Sequence, residues 1–206
     1  MSGVLLEVCV DSPVGLHAAV AGGADRIELC SSLSVGGLTP SRGFMAFAAK
    51  GTRPSRAMIR PRVGSYVFSE DEIDVMRRDI DAAREAGLAG VVIGGNLASG
   101  QLDEKTTARL AQHAAGFELT LHRSVDLMTR PLEAVDIAIA LGFRTILTSG
   151  GQLKAPDGAE TVAAMVVRGF TSGSPGDKEC LARLGLAQPR NLSEWFYAAL
   201  VRGALQ

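Results

Sequence analysis

Two cysteines, a few carboxylates, one histidine and several arginines carry the chemistry available to this sequence. Glu7 and Cys9 lie two apart in the apolar run Leu5–Val10, and Arg26, Glu28 and Cys30 repeat that spacing through Asp25–Leu29. In an extended chain such residues share a face, so neighbouring strands would bring both sulfurs to one place. Paired thiolates are soft donors that favour Cu(I) over Mg2+ or Ca2+. The spacing is nothing like a CxxC pair, however, and isolated cysteines commonly fill cores. Glu7, Arg26 and Glu28 suit either an acid–base set or an internal ion-pair network, and the network is the commoner outcome.

A second group follows. His122 ends the apolar run Phe117–His122 and is followed by Arg123 and Asp126, an imidazole with a loop carboxylate to orient it as general acid or base. Arg60 and Arg62 flank Pro61 and could clamp a carboxylate or phosphate through their guanidinium forks, although arginines also serve widely as surface residues. Ser149, in Thr148-Ser149-Gly150-Gly151, offers a turn whose backbone N–H groups suit an anion; a plain tight turn explains it equally well. His17 and His113 fall on helical patterns and read as surface residues.

These groups need elements to position them. Strand-like runs occur at Leu5–Val10, Asp25–Leu29, Ala57–Arg60, Gly90–Ile93, Phe117–His122 and Arg144–Thr148. Helical patterns fill the gaps at Pro13–Ala21, Ser41–Ala49, Ser69–Ala86, Asp103–Ala115 and Pro131–Leu141. Ser69 with Glu72 forms a capping box, Asp103 is a further N-cap, and Pro131 suits a first helical position. Glycines at 22–23, 87, 116 and 142 close the helices.

Repeated strand–helix units imply a parallel sheet with right-handed crossovers. A doubly wound sheet would bury Glu7, Arg26 and Glu28 under helices at high cost, whereas a (β/α) barrel tolerates them near its C-terminal mouth. The expected fold is therefore α/β, a TIM-type barrel. It is incomplete, with about six βα units where the full barrel has eight and about 250 residues. Residues 1–168 make the barrel. Residues 169–206 make a divergent segment, turn-like at Phe170–Asp177 and then helical at Lys178–Leu186 and Leu192–Leu205.

Composition removes several classes of function. A formal net charge of -1 and 5% aromatic residues argue against nucleic acid or a membrane surface as partner. No run approaches the roughly 18 apolar residues of a membrane span, and the N-terminus lacks the pattern of a signal peptide. Three cysteines (Cys9, Cys30 and Cys180) suit a reducing, cytoplasmic setting.

Longer segments narrow the choice. LLEVCVDS (5–12), GGADRIELCSSLSVGGLTPS (22–41), MIRPR (58–62), FSEDEIDVMRRDI (68–80), LHRSVDLMTRPLEA (121–134) and LGFRTILTSGG (141–151) together resemble the CutC family of copper homeostasis proteins. That resemblance implies a TIM barrel, often a homodimer, and a role in handling copper. It implies Cys9 and Cys30 as Cu(I) ligands and matches Glu7, Arg26, Glu28, Arg60, Arg62, His122 and Asp126 to the polar barrel mouth.

The sequence also departs from the family. Val63 and Ser65 stand where Gly and Asp are usual after MIRPR, Leu121 and Ser124-Val125 alter an FHRAFD segment, and a later MPGGG segment is absent. The expected function is cytosolic Cu(I) binding. The alternatives are a TIM-barrel enzyme acting on a small anionic metabolite, or a truncated, degenerate member without activity.

Overall fold

A computed structural model describes residues 5–172 of the chain. Strands and helices alternate as β1 (Glu7–Val10), α1 (Pro13–Ala21), β2 (Arg26–Leu29), α2 (Arg42–Ala48), β3 (Ser55–Met58), α3 (Glu70–Ala86), β4 (Gly90–Ile93), α4 (Glu104–His113), β5 (Glu118–Leu121), α5 (Glu133–Ala140), β6 (Thr145–Ile146) and α6 (Ala159–Ser172). Short 3-10 turns at Leu33–Val35, Arg123–Leu127 and Ala155–Gly158 lie in the loops after β2, β5 and β6. No helix among the described residues is long and apolar enough to cross a membrane.

All strand pairs are parallel, and the order across the sheet is β1-β2-β3-β4-β5-β6. That order decides the architecture. A doubly wound sheet reverses direction at a switch point, whereas here every crossover advances to the next strand, as in a barrel. The strands form a curled half-barrel. Its curvature shows in Arg56 of β3, whose Nη1 donates across β4 to Thr120 of β5 (2.7 Å) and Thr145 of β6 (3.2 Å).

Alternation along each strand separates two environments. Val10, Ile27, Leu29, Ala57, Ile59, Val91, Ile93, Leu119 and Leu121 share one buried core with Leu16, Met45, Ile73, Met76, Ile80 and Leu110 of the helices. The residues between them (Glu7, Cys9, Arg26, Glu28, Cys30, Arg56, Thr120 and His122) face the concave side. Helix α3 illustrates how the outer layer forms. Ser69 and Glu72 make the expected capping box, Ile73, Met76, Ile80 and Ala83 make the buried stripe, and Gly87 at φ 81° ends the helix.

Some boundaries differ from the sequence expectation. Strand β3 begins two residues earlier than Ala57 and ends before Arg60, because Arg60 N donates to the Thr39 hydroxyl instead of a ladder carbonyl. Arg56 thereby enters the strand. Helix α5 starts at Glu133, two residues after Pro131. Helix α6 runs through Gly169 to Ser172, so Phe170–Ser172 are helical where a turn was expected. The expected helices at 178–186 and 192–205 lie outside the described residues.

Gly90 is required by the curl. A Cβ there would lie 2.2 Å from the Glu118 carbonyl oxygen and 3.1 Å from Arg56 Cγ, on the path by which Arg56 crosses the sheet. Gly90→Ala is expected to cost at least about 1–3 kcal/mol. Gly43→Ala, in helix α2 with only Ser41 Oγ within 4 Å, is expected to be neutral or to stabilise by up to about 1 kcal/mol. Paired denaturant melts check the contrast.

Candidate functional site

The C-terminal ends of the strands carry three groups of polar side chains. The first joins β1 and β2. Their register sets Cys9 opposite Glu28, with Cys30 just past the end of β2. Both thiols donate to the same carboxylate oxygen, Glu28 Oε1, from Cys9 Sγ at 3.4 Å and from Cys30 Sγ at 3.7 Å. Glu28 and Cys30 are buried, and Cys9 is half-buried. Burial, reinforced by the neighbouring Glu7 carboxylate, pushes the Glu28 carboxyl up to about 7. Burial, followed by the charge of Glu28, also pushes both thiols well above their ordinary range. Gly37, at φ 81°, closes over this corner; a Cβ there would sit 3.0 Å from Cys30 Sγ.

Below the thiols lies a layer of ion pairs. Arg26 Nη2 donates to Glu7 Oε2 (2.6 Å), and Arg56 pairs with Glu118. Glu7 and Arg26 therefore form the network reading of their sequence pattern, with both side chains about 15% exposed.

The second group centres on the loop after β3. Arg60 Nη1 donates to the carbonyls of Val35 and Gly37, and Nη2 donates to that of Gly64. Arg62 pairs with Glu72 and donates to the carbonyls of Val63, Ser65 and Val67. Both guanidinium groups thus hold the backbone of neighbouring loops, and neither fork is turned to an outside anion. Tyr66 packs against both Arg60 and His122. Arg60 Cζ lies 4.6 Å from its ring centroid, and the His122 ring lies 4.7 Å away.

His122 is 1% exposed. Its Nδ1 accepts the backbone N–H of Ser124 at 3.3 Å, which places the ring proton on Nε2. Burial lowers its pKa to about 3, and the Arg60 charge adds to that, so the ring is a neutral donor at ordinary pH.

The third group joins the loops after β5 and β6. Asp126 accepts hydrogen bonds from the Thr148 hydroxyl, the N–H and hydroxyl of Ser149, the N–H of Gly151 (3.0 Å) and Arg123 Nε (2.8 Å). The turn at 148–151 does bind an anion, but the anion is the chain's own Asp126. Burial alone would raise this carboxyl; the hydrogen bonds from Thr148, Arg123, Gly151 and Ser149 outweigh it and hold the group below its usual range.

The mouth therefore brings Cys9, Cys30 and Glu28 together, sets Arg60 beside His122 through Tyr66, and gathers Arg123, Asp126 and Ser149. It does not pair His122 with Asp126. Among the described residues, no group of three or more His, Cys, Asp or Glu side chains is arranged to hold a metal ion. The sequence pattern misses Arg56 because the expected strand begins at Ala57, two residues inside the observed one. The period-two pattern Arg56, Met58, Arg60 would have found it. Tyr66 sits in a loop, where no periodicity marks it.

The CutC family profile matches residues 4–171. A CutC family protein from Rhizobium meliloti is 58% identical over 166 residues, covering 81% of this chain and 68% of that protein. The chain belongs to the CutC family. A CutC family protein from Sinorhizobium medicae is 51% identical over 199 residues, covering 91% of this chain and 80% of that protein. The crystal structure of a Streptococcus agalactiae protein described as copper homeostasis protein CutC superposes with a TM-score of 0.77 at 24% identity. It covers 88% of this chain and 94% of its own, so the half-barrel is part of a shared fold.

The buried imidazole gives this CutC family member a specific acid response. The His122 pKa falls from 6.5 in the unfolded chain to about 3 in the folded one, so between those values the unfolded state binds the extra proton. Its contribution to stability is complete above pH 6.5 and is lost progressively as pH falls towards 3. Over that window, His122→Gln is expected to flatten the rise of unfolding free energy with pH relative to the unsubstituted protein. Urea melts at half-unit pH steps measure the difference in slope.

Proposed function

We propose that the chain is a cytosolic copper homeostasis protein that holds Cu(I) between Cys9 and Cys30. One observation carries this reading: two thiols from adjacent strands converge on one carboxylate oxygen at the barrel mouth. Family membership adds to it, and the Streptococcus agalactiae structure is named for copper homeostasis. Two sulfurs are a soft donor set that prefers Cu(I) to hard cations, and a d10 ion of this kind accepts two ligands without demanding a third.

The thiols are protonated in the metal-free protein, since burial and Glu28 both oppose the thiolate. A thiolate is the form that ligates metal, so binding releases protons and strengthens with pH. Glu28, its carboxyl pushed up towards neutrality by burial, would add little negative charge beside the two thiolates. The Glu7–Arg26 pair beneath keeps the two strands in register and leaves Glu28 to the thiols.

The reading in which Arg60 and Arg62 clamp an anionic metabolite has less support, because both guanidinium groups donate to loop carbonyls. A cooperative melt with high secondary-structure content would count against a truncated, degenerate member without activity.

Anaerobic competition with a chromophoric Cu(I) chelator provides the test. The expected result is one Cu(I) per chain, tighter at pH 8 than at pH 6, and lost in the Cys9→Ser, Cys30→Ser double variant. Unchanged stoichiometry in a cooperatively folded double variant rejects the site.

A further inference from the structure

The thiol pair leaves half of the mouth without a task. On that other half, one polar atom stands out. His122 Nε2 is buried with no hydrogen-bond partner among the described residues, and its tautomer is fixed: with Nδ1 occupied by the Ser124 N–H, Nε2 must carry the proton. A buried N–H left unpaired costs about 1–3 kcal/mol, and native structures rarely leave one so without a reason. The sheet is also shaped for the ring. Gly94 lies beside it, and a Cβ at that position would come 2.8 Å from His122 Cε1.

A second donor lies nearby in the same condition. Arg60 Nε is buried and unpartnered, while the other nitrogens of its guanidinium are held by carbonyls. Tyr66 connects the two, with Arg60 over its ring and His122 packed against it. The loop that carries Tyr66 is otherwise exposed at Val63, Gly64, Ser65 and Val67. Its ring offers an N–H only the weak acceptance of a π face. Two donors, His122 Nε2–H and the cationic Arg60 Nε–H, with no acceptor among the described residues and no carboxylate pairing with either there, make a setting that favours an oxygen anion.

We propose that the mouth contains a second subsite, separate from the thiol pair, in which His122 Nε2–H donates to an oxygen of a small oxyanion (a carboxylate or phosphate group) beside the Arg60 guanidinium, with Tyr66 as the side chain that moves aside to admit it. Binding is a hydrogen-bonding event with no covalent step. It is independent of the copper reading, because neither cysteine takes part.

The experiment uses the full chain with 15N-labelled histidine. Two-bond nitrogen–proton spectra first identify the His122 tautomer, and titrations with sodium acetate, succinate and inorganic phosphate then follow its Nε2 resonance. The expected result is an Nε2–H tautomer and a saturable shift with at least one of the three anions. Apparent affinity should fall about tenfold in His122→Phe and rise in Tyr66→Ala. Acetate and succinate against phosphate distinguish the two anion sources.

An Nδ1–H tautomer overturns the proposal, as does a resonance unmoved by all three anions. So does a nuclear Overhauser contact between the His122 ring and a residue beyond 172, because the donor would then have an internal partner. Should His122→Phe fail to fold, the direct titration and Tyr66→Ala still decide. The Cys9→Ser, Cys30→Ser variant must keep anion binding, so the two sites fail separately.

Discussion

Everything at the mouth follows from one constraint, the two-residue alternation of parallel strands on a sheet that curls in a single direction. The outer set of side chains must be apolar because helices cover it, and Ile27, Leu29, Ala57, Ile59, Val91, Ile93, Leu119 and Leu121 meet that demand. The inner set is released from it. The curl brings inner side chains of β3, β5 and β6 within reach of one another, as Arg56 shows by touching Thr120 and Thr145. A flat sheet with the same sequence would hold these groups apart, each buried alone at a cost of several kcal/mol.

The inner charges are arranged so that each has a different partner. Arg26 neutralises Glu7, and Arg56 neutralises Glu118. Glu28 lies between these pairs with Arg56 as a lesser influence, and it takes its hydrogen bonds from two sulfurs. This is why its carboxyl is pushed up while Asp126, three strands away, is pushed down. Glu28 is buried and Asp126 half-buried. Asp126 receives two backbone N–H groups, two hydroxyls and a guanidinium, whereas Glu28 receives only weak S–H donors. Burial raises both carboxyls, and the number and strength of donors decide whether it is outweighed.

The sequence disclosed the architecture well because its signals were local and periodic. The runs at 90–93, 117–122 and 5–10 lie within two residues of the strands, and Ser69, Glu72 and Asp103 cap the helices as their chemistry demands. The cysteines and Glu28 were legible together, since period two and adjacency of the first two strands suffice to bring them near. The partnerships of the arginines were not. Arg60 and Arg62 read as anion clamps, yet Arg60 donates to loop carbonyls at 35–37 and 64, and Arg62 to carbonyls at 63–67 and to the chain's own Glu72 carboxylate; no side-chain pattern announces the carbonyls. The pairing of His122 with Asp126 failed for a related reason. Closeness in sequence suggested it, but the 3-10 turn Arg123–Leu127 carries Asp126 over to the β6 loop, where better donors stand.

The two rims of the half-barrel therefore differ in kind. On the β1–β2 rim, sulfur donors sit beside a carboxyl in a setting that disfavours negative charge, and a soft cation would reverse each of those penalties at once. Where β4, β5 and the loop after β3 meet, the available atoms are hard N–H donors near a fixed positive charge, which suit an anion. On the β6 side the chain has already supplied that anion with Asp126, and the turn at 148–151 is saturated by it. Among the described residues, His122 Nε2 and Arg60 Nε are ring and guanidinium donors left buried without a partner around Tyr66. A protein that held only a metal at its thiols would gain nothing from keeping a neutral, tautomer-fixed imidazole buried without an acceptor, and phenylalanine at that position would cost less. The unpaired donor is thus the feature of the mouth that copper alone leaves unexplained.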